Sequence, residues 1–125
     1  MDVITTPDER RAFKRFSLHK GTSFISCPDW LDKGELVNIG KGGLAFNYNS
    51  ETPWSDCPVD GFEVRGKQAS SLDNFPMTVV ADHPIKCDHG NTMFVRRRSY
   101  KFGELNLHQK FLLECFVWIN STAQC

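Results

Sequence analysis

The chain has no net charge: fifteen Lys and Arg balance fifteen Asp and Glu over 125 residues. Without a global basic field there is little to draw it along DNA or RNA, and no nucleic-acid polymer is expected as a partner. No apolar run approaches the roughly 20 residues of a membrane helix, so no membrane insertion is expected. The five cysteines, Cys27, Cys57, Cys87, Cys115 and Cys125, are odd in number and contain no Cys-x-x-Cys pair. They read as free thiols, buried as small apolar residues in a reducing compartment. His83, Cys87 and His89 carry metal-ligating types, but at a spacing foreign to common zinc sites, with a fourth ligand needed from as far away as Cys57. No Ser-His-Asp or Cys-His arrangement can be assembled from the scattered His19, His83, His89 and His108, and the chain is expected not to be an enzyme. The polar opening residues, Met1 to Pro7, offer neither an apolar signal region nor a small-residue cleavage site, so the expected location is the cytoplasm. Internal repeats and low-complexity segments are also absent.

What is present suits one domain with a real core: 40% of the residues are hydrophobic, ten of them Phe. The charge is local. Arg10, Arg11, Lys14 and Arg15 crowd the N-terminal arm, and Arg96, Arg97 and Arg98 form a second cluster. Two small basic patches on a neutral chain fit a small anionic ligand better than a polymer.

Phe16 to His19 and Thr22 to Ile25 resemble a strand interrupted or flanked by Lys20-Gly21, with alternation placing Phe16 and Leu18 on one face. Leu36 to Ile39 and Leu44 to Tyr48 predict a hairpin-like corner around Gly40-Lys41-Gly42-Gly43. Residues 49–61 read as a loop, Phe62 to Arg65 as a short strand, and Gly66 to Pro76 as a second loop. Met77 to Ala81 and Thr92 to Phe102 are further strands. The alternate side chains of Arg96, Arg97 and Arg98 are expected to face solvent in a structural role. Asn106 and Gln109 have capping-box spacing for a closing helix, and Phe111, Leu112, Cys115, Phe116 and Ile119 would form its apolar face. Asn120 to Thr122 would end it, and His108 would be exposed in its first turn. Trp30, Trp54 and Trp118 read as packing residues. The expected fold is mostly β: about six short antiparallel strands closed into a barrel, covered by a C-terminal α-helix. Residues 1–15 would be a flexible basic arm, and residues 16–120 the single domain.

Two motifs carry the functional reading. Arg11 and Arg15 stand four residues apart just before the first strand, and Asn38 opens a glycine-rich turn that ends at Gly43. Guanidinium forks pair with phosphates and guanine edges, and an asparagine in a turn can read a base edge. In order and spacing the two resemble the RxxxR and (D/N)xSxxG pair of the PilZ domain family, bacterial receptors for the second messenger cyclic di-GMP. The resemblance covers roughly residues 9–120 and is consistent with the barrel-and-helix reading. It implies that Arg11 and Arg15 hold the ligand and that Arg10 adds a phosphate contact. It further implies that Asn38 accepts from a guanine N–H and that Gly43 fills the terminal glycine. Gly40 stands where the family has serine.

A missing neutral hydrogen bond costs about 0.5–1.5 kcal/mol, and glycine loosens a turn by roughly 0.5–1 kcal/mol. The expectation is weakened binding that serine at position 40 would tighten, with Lys41 supplying a nearby cation. What the resemblance implies is a stand-alone receptor whose arm orders on the ligand and signals to an unknown protein effector in motility, biofilm or exopolysaccharide control. No cofactor beyond the ligand is implied. The alternative is a degenerate PilZ domain that serves as a protein-interaction adaptor without the nucleotide.

Overall fold

The structure, a computed structural model, describes residues 14–26, 33–50, 52, 62–85 and 95–124. Within them the chain forms nine strands and one α-helix. The strands are β1 (Arg15–Leu18), β2 (Phe24–Ser26), β3 (Gly34–Gly40), β4 (Gly43–Asn49), β5 (Glu63–Arg65), β6 (Ser71–Asp73), β7 (Met77–Pro84), β8 (Val95–Phe102) and β9 (Ser121–Gln124). The helix, α1 (Leu107–Asn120), precedes β9. Every described pairing is antiparallel.

The strands join in one sheet of order β6-β5-β2-β3-β4-β8-β7, with β1 added beside β3 and β9 beside β1. This corrects the expected strand count of six. There are nine strands, and no pairing among the described residues joins β6 to β7 to close the path. Two of the extra strands lie where sequence offered no alternation. β6 occupies the stretch read as a loop, after a 3-10 turn at Lys67–Ala69, and β9 follows the helix without a linker.

One face of the sheet is the core. Leu44, Phe46 and Tyr48 of β4 point inward with Tyr100 and Phe102 of β8, all buried. Phe46 stacks on Tyr100 at 5.8 Å between ring centroids, and Phe62 meets the same ring edge-on at 5.0 Å. Such offset and edge contacts suit the aromatic quadrupole.

The helix begins as its sequence dictates. The Asn106 side chain accepts from the Gln109 backbone N–H at 2.8 Å, and the Gln109 side chain accepts from the Asn106 N–H at 2.9 Å. Two otherwise orphaned donors are thereby satisfied. The apolar face differs from the expected one: Leu113 and Phe116 are buried, with Leu112 and Val117 packed beside them, whereas Phe111 is 62% exposed. Trp118, read as a packing residue, is 85% exposed. Trp30 and Trp54 lie outside the described residues. His108 is exposed, as expected, and Cys115 is a half-buried free thiol. The other four cysteines and His89 lie outside the described residues.

The helix is pinned at its last residue. Asn120, fully buried, accepts from the Lys67 N–H at 2.7 Å and donates to Ser70 Oγ and to the Phe116 carbonyl, both at 2.9 Å. One amide thus ties the helix end to the turn that launches β6.

Candidate functional site

Strand register decides which side chains share the outer face. β1 pairs with β3 so that Arg15 opposes Gly40 and Ser17 opposes Asn38. Asn38 in turn opposes Ala45 of β4, which opposes Ser99 of β8, which opposes Ala81 of β7. Simple alternation would put Asn38 on the same side as buried Leu36, in the core. A register shift at Val37, between Leu36 and Asn38, prevents this. The extra residue of a bulge re-aims the side chains after it, so Ile39 turns inward and Asn38 outward.

There Asn38 meets Arg15. Arg15 Nη1 donates to Asn38 Oδ1 at 2.8 Å. The two residues come from motifs 23 positions apart, and a charge-assisted bond fixes the guanidinium plane in place. Gly43 completes the arrangement. A Cβ at Gly43 would lie 3.1 Å from Arg15 Nη2 and 2.0 Å from the Tyr100 carbonyl oxygen. Its bare backbone therefore lets the arginine fork lie over the β3–β4 turn while β8 approaches closely from the other side.

Gly40 is a third point of close approach. A Cβ there would lie 2.1 Å from the Lys14 carbonyl oxygen. The obstruction is backbone, not the end of a flexible side chain. Glycine at this position is thus more than a serine without its hydroxyl, because it lets the start of β1 settle against β3. This geometry argues against the expectation that serine would tighten the site, since a Cβ would first have to displace the strand that carries Arg15.

Of the six residues singled out from sequence, Arg15, Asn38, Gly40 and Gly43 are brought together. Arg15, counted with the arm in the sequence reading, is the first residue of β1. Arg10 and Arg11 lie outside the described residues. Lys41, expected to add charge at the turn, lies 4.0 Å from Glu114 of α1 with both side chains about two-thirds exposed. Such a contact contributes little to stability.

Sequence reasoning missed how the arginine triplet divides. Tyr100 and Phe102 fix the inward phase of β8, so Arg96 and Arg98 point toward the core and Arg97 points out. Arg98 is 3% exposed. A second register shift, at Val80, turns Asp82 inward to face it. Asp82 lies 2.6 Å from Arg96 Nε and 3.0 Å from Arg98 Nε, and it accepts from the Tyr48 hydroxyl. The hydrogen bond to Asp82 pushes the Arg96 pKa above its ordinary value, so Arg96 stays charged. Asp82 thus compensates two cations at the core's edge, where an unpaired charge would be costly. Arg96 and Arg98 are structural, as expected, but they do not face solvent. Among the described residues no cluster of three or more His, Cys, Asp or Glu could hold a metal.

No protein-family model matches the sequence, and no curated protein matches it. A solved structure does. The PilZ domain of YcgR from Escherichia coli, with c-di-GMP, superposes with a TM-score of 0.65 at 18% identity, over 88% of this chain and 90% of that one. The fold is that of a PilZ-like domain.

Proposed function

We propose that this PilZ-like domain is a receptor for cyclic di-GMP and that it binds the nucleotide without turnover. The reading is carried by one observation, the 2.8 Å bond from Arg15 Nη1 to Asn38 Oδ1. It joins the two motifs on the outer face of a fold whose solved neighbour carries c-di-GMP. A dinucleotide offers two phosphates and two purine edges, and a fixed guanidinium fork is a partner for either. In this reading Arg15 and Asn38 make the first contacts, Gly40 and Gly43 let β1 and the Arg15 fork lie close against the turn, and Arg10 and Arg11 add guanidinium groups from the preceding segment. The residues of that segment would order on the ligand and present a changed surface to a protein effector. The setting would be the cytoplasm of a bacterium, with control of motility, biofilm or exopolysaccharide as the output.

The test is calorimetric titration with cyclic di-GMP of the wild-type chain, Arg11→Ala and Arg15→Ala. Saturable binding is expected, weakened at least tenfold in each variant, because charge-assisted contacts contribute about 1.5–3 kcal/mol. No heat with the wild-type chain at near-millimolar ligand would reject the reading.

A further inference from the structure

The outer face continues past the motif residues. One row crosses it as Ser17, Asn38, Ala45, Ser99 and Ala81; the next runs from Glu35 through Asn47 and Arg97 to His83. Beyond Asn38 the first row has only short side chains. Ala45, although it points away from the core, is 3% exposed, a methyl set below its longer neighbours. Ser99 lies two strand spacings from Asn38, about 10 Å at roughly 4.8 Å per strand. The result is a low floor with the Arg15–Asn38 pair on one side and Arg97 on the other.

Arg97 differs from its two neighbours in the triplet. Arg96 and Arg98 both lie within ion-pair distance of Asp82. Arg97 points the opposite way, and no carboxylate among the described residues lies within ion-pair distance of it. Its Nε donates to Asn47 Oδ1 at 2.9 Å. That bond uses the side of the guanidinium nearest the chain and leaves the Nη1 and Nη2 edge without a hydrogen-bond partner among the described residues. A guanidinium held on one edge and open on the other is pre-organised for a pair of acceptors. Of the acids on this face, Glu35 stands opposite Asn47 on β3, with a strand between it and Arg97, and Glu63 and Asp73 lie farther off on β5 and β6.

We propose that Arg97, oriented by Asn47, is a second ligand-contacting arginine of this face, donating through its Nη edge to a pair of acceptors on the far half of the bound dinucleotide. The inference rests on the receptor reading above. The acceptors are two phosphate oxygens or O6 and N7 of guanine, which present the same geometry to the fork. Asn47 is a positioning residue that acts through Arg97.

The experiment is titration with cyclic di-GMP of the wild-type chain, Arg97→Ala, Arg97→Lys, Asn47→Ala and the Asn47→Ala/Arg97→Ala pair. Arg97→Ala is expected to weaken binding roughly tenfold to a hundredfold, and Arg97→Lys to restore only part of the loss, since lysine has the charge but not the fork. Asn47→Ala alone should weaken binding by a smaller factor and add nothing once Arg97 is gone, a non-additivity that a merely structural residue would not produce. Cyclic di-AMP identifies the acceptors: an Arg97→Ala loss shared by both nucleotides assigns phosphate, and one confined to cyclic di-GMP assigns the guanine edge. Wild-type binding with unchanged affinity in Arg97→Ala overturns this inference alone. No binding by the wild-type chain overturns the receptor reading and this inference with it. Because Arg97 lies outside the core, an unchanged urea midpoint in Arg97→Ala checks that the fold is intact.

Discussion

Gly40 sets how closely β1 can approach β3, and through β1 it sets where Arg15 stands. A Cβ at that position would lie 2.1 Å from the Lys14 carbonyl oxygen, so a side chain of any size must move the strand. Gly40→Ser is therefore expected to lower stability by about 1–3 kcal/mol, as overpacking does, and to weaken cyclic di-GMP binding. A urea melt and a titration of the same variant check both, and tighter binding would contradict the packing argument. Arg15, Asn38 and Gly43 could be singled out from sequence by residue type and spacing, and the structure brings them together. The role of Gly40 was not legible, because a close approach between segments far apart in the chain leaves no local pattern. Nor was the bond between Arg15 and Asn38, which depends on a bulge at Val37 that alternation alone argues against.

Among the elements, the helix start was readable and the helix face only in part. The capping box at Asn106 and Gln109 is a local device, and it formed as its spacing dictates. Phe116 and Leu112 pack as expected, but Phe111 is apolar yet exposed, and the buried positions include Leu113 and a polar residue, Asn120, whose amide is satisfied by the turn at Lys67. Paired substitutions separate the two faces. Phe116→Ala should cost about 3–5 kcal/mol in a denaturant melt, and Trp118→Ser should stay within about 0.5 kcal/mol of wild type. A large loss from Trp118→Ser would mean that the exposed stripe is packed in solution. β8 teaches a similar lesson. Its arginine triplet looked like one basic patch, but the inward phase set by Tyr100 and Phe102 commits Arg96 and Arg98 to Asp82 and turns only Arg97 outward.

For the whole molecule, alternation and turn signals pointed to a chain rich in strands with a late helix, and the described residues form nine strands and one helix. Strand order and count escaped the sequence because they depend on pairings far apart in the chain. β9 is a strand only because the segment after the helix returns to β1, and β6 is a strand only beside β5. This arrangement places the Arg15–Asn38 pair, the Ala45–Ser99 floor and Arg97 on one outer face, away from the core and from most of the helix. The most direct measurement is an amide-resonance titration of the isotope-labelled chain with cyclic di-GMP. The account predicts shifts concentrated at Ser17, Asn38, Gly43, Ala45, Arg97 and Ser99, with the resonances of Leu113 and Phe116 unmoved. Shifts confined to other strands or to the helix, or no shifts at saturating ligand, would contradict it.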